Sequence, residues 1–244
     1  MPVVLLHAFP LNRRLWDEQI EALSRNADVI APDLPGLGES APQEVPSIPL
    51  MAQSIVALLD QLAISRPVAL VGLSIGGYVA FEMLRQFSDR IRLLVLCSTR
   101  AGIDSPEGKQ NRLAMAEKLT QGQLTVEAAA SLLLPKLLGK TTLAKRPGIV
   151  EAARKIILQN KPVGIANAQK AMADRRDSTP LLAGIRCPTL VMAGDEDAII
   201  PLEEANNLAR AIPKAKQEIL PQAGHLINLE DPARFIAPIC QFLS

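Results

Sequence analysis

Six short apolar runs, separated by stretches with a helical repeat, constrain this sequence more than any other feature. The runs are PVVLLH (2–7), DVIAP (28–32), PVALVGL (67–73), IRLLVLC (91–97), PTLVMAG (188–194) and KQEILP (216–221). Most are rich in Val, Ile and Leu with little polar alternation, which is typical of parallel strands buried on both faces. The alternation of strands and helices predicts an α/β fold around a parallel sheet with helices on its faces.

This alternation is interrupted once, between residues 101 and 182. No strand pattern occurs there, and Gly and Pro residues separate several helical stretches. We expect residues 1–100 and 183–244 to form the core and residues 101–182 to form a helical cap, or lid. Such a cap would cover the carboxyl ends of the strands, where open α/β sheets bind ligands. The alternative is a helical layer with no role at the site.

Composition narrows the functional classes. The 244 residues include 26 Lys and Arg, 25 Asp and Glu, and 3% aromatic residues. A near-neutral chain with few aromatics predicts neither a nucleic-acid partner nor an anionic membrane partner. No dinucleotide fingerprint or metal-ligand spacing occurs, so we expect no cofactor and no metal. A small-molecule substrate remains the expected partner.

The cysteines and the apolar segments bear on localisation. Cys97, Cys187 and Cys240 form no CxxC pair, and each lies in an apolar run. The N-terminal segment lacks a signal-peptide pattern, and no run reaches the ~18 apolar residues of a membrane span. We therefore expect a cytoplasmic protein with reduced thiols.

The segment VGLSIGG (71–77) contains a G-x-S-x-G pattern centred on Ser74. It ends the third predicted strand and opens a helical stretch, which is the setting of a nucleophile elbow. Gly72 and Gly76 leave room for a tight turn around the serine. The pattern favours Ser74 as a nucleophile, and the alternative is an inert serine in a glycine-rich turn.

A serine hydroxyl needs a general base, and the sequence holds two histidines, His7 and His225. His225 lies in the loop after the last predicted strand, at the same edge of the sheet as Ser74. His7 ends the first strand at that edge too. We expect His7 to shape the loop that follows it, as a core histidine bonded to backbone, and His225 to be the base.

The turn GDEDAIIP (194–201) offers three carboxylates that could orient the base: Asp195, Glu196 and Asp197. Position along the turn favours Asp197, and Asp195, as a turn-capping residue, is the main alternative. A further acid, Asp33, follows the second strand and is predicted to have a structural role in a rigid turn, where it bonds nearby backbone N–H groups.

Acyl transfer also requires about two N–H donors for a developing oxyanion. One should be the backbone N–H of Ile75, directly after the serine at the start of a helix. The loop LLHAFPLN after the first strand should supply the other, and the backbone N–H of Phe9 is the predicted donor.

Taken together, these segments resemble the α/β-hydrolase superfamily, and most closely its small bacterial esterases and 3-oxoadipate enol-lactonase-like hydrolases. The resemblance covers nearly the whole chain and rests on LLHAFPLNRRLW, PDLPGLGES, GLSIGG, GDEDAIIP and Gly224–His225. In that family the acid is usually the last carboxylate of the G-x-x-D turn, here Asp197. The order Ser74, Asp197, His225 is also the family's order of serine, acid and histidine.

Two departures from the family pattern stand out. Ala8 occupies a position where members commonly have glycine, which is tolerable only if its backbone avoids positive φ. The β-hairpin that usually precedes the first strand has no counterpart before Val3. We therefore expect a mostly parallel sheet of about six strands without that hairpin.

The resemblance implies a serine hydrolase that cleaves small carboxylic esters or lactones through an acyl-enzyme on Ser74. Perhydrolases and C–C bond hydrolases use the same residues, and a slow ligand receptor on a hydrolase fold is a third alternative. In the cap, Lys118, Lys136 and Arg175 are expected to be solvated rather than to bind substrate.

Overall fold

A fully parallel six-stranded sheet forms the centre of the structure, a computed structural model that describes residues 1–243. The strands are β1 Val3–Leu6, β2 Val29–Ile30, β3 Val68–Leu73, β4 Ile91–Cys97, β5 Thr189–Gly194 and β6 Lys216–Leu220. Their order across the sheet is β2-β1-β3-β4-β5-β6, and every neighbouring pair is parallel. All six predicted strands, and the α/β fold, are confirmed.

Helices pack on the sheet and fill the long connection between β4 and β5. They are α1 Asp17–Leu23, α2 Ile48–Gln61, α3 Ile75–Phe87, α4 Pro106–Thr120, α5 Val126–Leu137, α6 Lys140–Lys145, α7 Pro147–Leu158, α8 Pro162–Ala173, α9 Leu202–Ala211, α10 Ile227–Glu230 and α11 Pro232–Leu243. Helices α4 to α8 follow β4 without an intervening strand in the described chain. Within residues 1–243, no helix has both the length and the apolar character to cross a bilayer.

Burial explains the apolar runs and sets the position of the site. Every residue of β1, β3 and β5 is buried, so both faces of these strands are covered and their side chains are almost all apolar. Strand β6, at the edge of the sheet, is largely exposed and carries the polar residues of its run. Because all strands are parallel, the loops that leave their carboxyl ends emerge along one edge, where they can form a common site.

Candidate active site

Ser74 lies in the turn between β3 and α3 in a strained backbone conformation. Its φ is 57° and its ψ is −113°, a region that a non-glycine residue occupies only when its surroundings hold it there. Its N–H donates to the Cys97 carbonyl at 2.9 Å, and its own carbonyl accepts from the Thr99 hydroxyl at 2.9 Å. The strand–turn–helix setting expected around this serine is present, and Ser74 is 7% exposed.

Two glycines allow neighbouring backbone to approach this turn. A Cβ atom on Gly76 would overlap the carbonyl of Leu6, the last residue of β1, and a Cβ on Gly72 would overlap the carbonyl of Gly76. The end of β1 therefore packs directly on the first turn of α3. A larger residue at position 76 would push β1 away from α3, and a larger residue at position 72 would push the end of β3 away from the same helical turn.

The two predicted oxyanion donors follow the carboxyl ends of β1 and β3, which are neighbours in the sheet. Leu6 pairs with Gly72, and Phe9 and Ile75 each lie three residues beyond that pair. As the first residue of α3, Ile75 has no acceptor for its N–H within the helix. Within residues 1–243, the Phe9 N–H makes no backbone hydrogen bond either. Ala8 is not among the described residues with positive φ, so its Cβ is tolerated.

His225 and Asp197 form a buried hydrogen-bonded pair. His225 Nδ1 lies 2.8 Å from Asp197 Oδ2, and the two side chains are 1% and 0% exposed. The other carboxylate oxygen of Asp197 accepts from the N–H groups of Ile199 and Ile200, at 2.8 and 2.9 Å. With its proton on Nδ1 facing a carboxylate, the imidazole keeps Nε2 as an acceptor, which is the tautomer a general base needs.

The loop that carries His225 folds back over the end of β5. A Cβ on Gly194, the last residue of β5, would overlap the carbonyls of Ala223 and Gly224. Strand β6 is the outermost strand on this side of the sheet, and β5 lies between it and β4. By crossing the end of β5, the loop therefore runs from β6 back towards β3 and Ser74. The histidine, its carboxylate and the serine thus lie along the same edge of the sheet.

The other two acids of the 194–197 turn have different partners. Asp195 Oδ1 accepts from the Gln222 N–H at 2.7 Å, which closes the turn against the loop after β6. Glu196 accepts from both the N–H and the hydroxyl of Thr141, at 2.8 and 2.6 Å. Among the three candidates, Asp197 is therefore the carboxylate that bonds His225.

His7 is a buried structural histidine, as predicted. It is 0% exposed, its Nδ1 lies 3.1 Å from the Ala8 carbonyl, and its Nε2 accepts from the Leu34 N–H at 2.9 Å. Accepting at Nε2 requires the neutral ring. Burial lowers the pKa of His7 to about 4, despite the opposing effects of the Ala8 carbonyl and of Asp33.

Asp33 also has the structural role predicted for it. Its two oxygens accept from the backbone N–H groups of Arg13 and Glu39, at 2.7 and 2.9 Å. These bonds join the turn after β2 to the segment after β1. Asp33 thereby supports the loop that contains Phe9 without bonding His225.

The cations of the helical insertion divide into two groups. Lys118 and Lys136 are exposed, as predicted. The prediction for Arg175 is wrong, because its side chain is 3% exposed and bonds Asp104, and its guanidinium carbon lies 4.4 Å from the centre of the Tyr78 ring. Burial opposes ionisation of Asp104, but hydrogen bonds from Arg175 and a neighbouring arginine hold its pKa below the ordinary value.

Two polar residues that the sequence did not single out connect the insertion to the site loops. The Asn160 side chain donates to the Pro10 carbonyl at 2.8 Å and accepts from the Gly38 N–H at 2.6 Å. Buried Glu230 bonds the N–H groups of Gly139 and Gly224, each at 2.9 Å. The partners Pro10 and Gly38 of Asn160, and the partner Gly139 of Glu230, are more than 90 residues away in sequence, so no local pattern could have predicted these contacts.

Metal ligation has no support in the described part of the chain. Residues 1–243 contain no group of three or more His, Cys, Asp or Glu side chains placed to hold a metal ion.

Comparisons with known proteins agree with the observed fold. A family model described as alpha/beta hydrolase fold matches residues 1–232. A thermophilic esterase from Thermogutta terrifontis is 41% identical with a TM-score of 0.95, over 100% of this chain and 89% of that one. The enol-lactonase from Burkholderia xenovorans LB400 is 28% identical with a TM-score of 0.89, over 99% of this chain and 90% of that one.

A relative found by sequence points the same way. The 3-oxoadipate enol-lactonase 2 of Acinetobacter baylyi is 26% identical over 234 residues, which is 96% of this chain and 85% of that protein. With the family model covering almost all of the chain and the six-stranded parallel sheet in place, the chain belongs to the α/β-hydrolase family.

Proposed function

We propose that this protein is a serine hydrolase that cleaves small carboxylic esters or lactones through an acyl-enzyme on Ser74. The observation that carries the proposal is the buried bond of 2.8 Å between His225 Nδ1 and Asp197 Oδ2, at the sheet edge that also holds the strained Ser74 turn. A buried histidine with an oriented carboxylate partner is the device that makes a serine hydroxyl nucleophilic.

Acylation starts with attack of Ser74 Oγ on the substrate carbonyl carbon while His225 Nε2 takes the hydroxyl proton. Asp197 holds the ring in the required tautomer and stabilises the imidazolium. The carbonyl oxygen becomes negatively charged and accepts hydrogen bonds from the N–H groups of Phe9 and Ile75, which stabilise that charge. The start of α3 adds the positive end of a helix dipole to the same place. The C–O bond then breaks, and the leaving alkoxide takes the proton from His225.

Deacylation repeats these steps with water. His225 accepts a proton from the water as its oxygen attacks the acyl carbon, and Ser74 Oγ leaves with that proton. The products are a carboxylic acid and the regenerated serine. In a lactone the leaving alcohol stays attached to the acyl group, so the product is a single hydroxy acid.

The substrate class is supported by the relatives whose names include esterase and enol-lactonase. We also assign residues 101–182 to a cap over the site. The contacts of Asn160 with Pro10 and Gly38, and those of Thr141 with Glu196, attach this insertion to loops at the carboxyl edge of the sheet. A cap attached there would limit the size of the acyl and alcohol groups that reach Ser74.

Turnover of a panel of short-chain nitrophenyl esters and small lactones tests the proposal, with Ser74→Ala as the control. The alanine variant retains the Cβ and the backbone bonds of the turn, so its Tm should match that of the unaltered protein. Its kcat should fall by about six orders of magnitude, which places it at the assay background. A folded Ser74→Ala protein that still hydrolyses these substrates would refute the assignment.

A further inference from the structure

Glu230 is a buried carboxylate that joins two backbone segments. It is the last residue of α10, five positions after His225, and is 3% exposed. One oxygen, Oε1, accepts from the Gly224 N–H at 2.9 Å, and the other, Oε2, accepts from the Gly139 N–H at 2.9 Å. Gly224 directly precedes His225 in the chain, whereas Gly139 lies between α5 and α6 in the helical insertion.

These two segments also bond each other directly. The Leu137 carbonyl accepts from the N–H of His225 at 3.1 Å and from the N–H of Leu226 at 3.2 Å. A Cβ on Gly224 would overlap the backbone of Gly139, so the backbones of the two segments are in direct contact. The histidine loop therefore rests on the segment Leu137–Thr141, which we call the cap corner.

Burial of the Glu230 carboxylate is energetically unfavourable, so its hydrogen bonds are the features that can explain its presence. Burial raises the pKa of Glu230, against hydrogen bonds that favour the ionised form. A buried charge without partners would be strongly unfavourable, and two N–H donors offset part of that cost through charge-assisted bonds. Only a carboxylate accepts from both N–H groups without turning a donor towards one of them. The Arg146 side chain also bonds the Glu230 backbone carbonyl, at 2.8 Å, which fixes the residue from the insertion side.

We infer that Glu230 is a positioning residue for His225, because it fastens the histidine loop to the cap corner and so holds the imidazole on Asp197. The inference rests on the proposed hydrolase function in assigning His225 as the base. The Glu230 carboxylate bonds backbone N–H groups and not the reacting groups. It acts through the Gly224 N–H, one residue from the histidine, and a displacement of about 1 Å at a catalytic group can lower a rate 100-fold.

The test compares Glu230→Gln with the matched control Thr141→Val. The glutamine has nearly the same shape but presents an NH₂ group to one of the two N–H donors. One of the two hydrogen bonds to Gly139 and Gly224 is therefore lost. The valine removes the hydroxyl bond between Thr141 and Glu196 at the same cap corner without touching the histidine loop. Both proteins are measured for kcat and KM on a small nitrophenyl ester, for hydrogen exchange at the amides of residues 224–226, and for the NMR signal of the His225 Nδ1 proton.

Glu230→Gln should lower kcat by about 10- to 100-fold with KM changed less than about threefold. Amide exchange at residues 224–226 should become faster, and the Nδ1 proton signal should shift or broaden. Thr141→Val should leave all of these close to the values of the unaltered protein. Glu230→Asp keeps the charge on a shorter side chain, so its kcat should lie between those of Glu230→Gln and the unaltered protein. If the glutamine variant does not fold, the aspartate variant takes its place in the test.

Unchanged exchange and an unchanged Nδ1 signal in Glu230→Gln would overturn the inference. An equal loss of kcat in Glu230→Gln and Thr141→Val would also overturn it, because the effect would then be general loosening of the cap corner. Failure of the proposed function is detected separately, as absence of ester turnover in the unaltered protein. In that case the exchange rates and the Nδ1 signal still decide whether Glu230 positions His225.

Discussion

Acid should destabilise this protein through His7, and the structure gives the size of the effect. Burial places the pKa of His7 at about 4 in the folded state, against an ordinary value of 6.5. At pH values between these two, His7 therefore carries a proton in the unfolded chain but not in the folded protein. Because stability rises with pH wherever the unfolded state binds more protons, the contribution of His7 is lost as pH falls from about 6.5 to about 4.

The magnitude follows from the separation of the two pKa values. Each unit is worth about 1.4 kcal/mol, so protonation of the unfolded chain should cost the fold about 3 kcal/mol between pH ~7 and pH ~4. Protonation would also break the bond in which Nε2 accepts from the Leu34 N–H. His7→Gln removes the titration while its side-chain oxygen can still accept from Leu34.

Urea unfolding of both proteins at the two pH values measures this contribution. The unaltered protein should lose about 3 kcal/mol more than His7→Gln on acidification. Other titrating groups, including Glu230 with its raised pKa, are present in both proteins and cancel in the difference. Equal losses in the two proteins would mean that burial does not hold His7 neutral in the folded state.

Two further substitutions test the site and its scaffold. Asp197→Asn should leave KM nearly unchanged and lower kcat by roughly 10⁴, because the amide no longer selects the tautomer with its proton on Nδ1 of His225; a loss below tenfold in steady-state kinetics would argue against Asp197 as the orienting acid. Gly76→Ala should destabilise the fold by at least about 2 kcal/mol, because its Cβ would overlap the Leu6 carbonyl; an unchanged Tm in thermal unfolding would show that β1 does not pack on the elbow as described.

Much of the fold could be predicted from sequence because burial on both faces leaves a clear pattern. The apolar runs that became β1, β3 and β5 are buried throughout, and their lack of polar alternation follows from that burial. Helix α6 was not predicted, since KTTLAK is short and has no apolar stripe. Local pattern identifies an element most clearly when one of its faces is consistently apolar.

The candidate site was predictable to the extent that its chemistry is local. Ser74 stands in a motif with its own strand and helix, and His225 is one of two histidines. The choice of Asp197 over Asp195 required the position along the turn and the family resemblance. The solvated state predicted for Arg175 was wrong because burial of an ion pair depends on a partner, Asp104, some 70 residues away. Contacts of that separation follow from how the helices pack, which the sequence pattern does not contain.

Covalent modification by a small fluorophosphonate, mapped by intact mass and peptide mass spectrometry, tests most directly whether Ser74 is the nucleophile. We expect one adduct per chain, on the peptide that contains Ser74, and a strongly reduced labelling rate in His225→Ala. Labelling that maps to another residue, or an active ester hydrolase whose Ser74 stays unmodified, would contradict the assignment of Ser74 as the nucleophile.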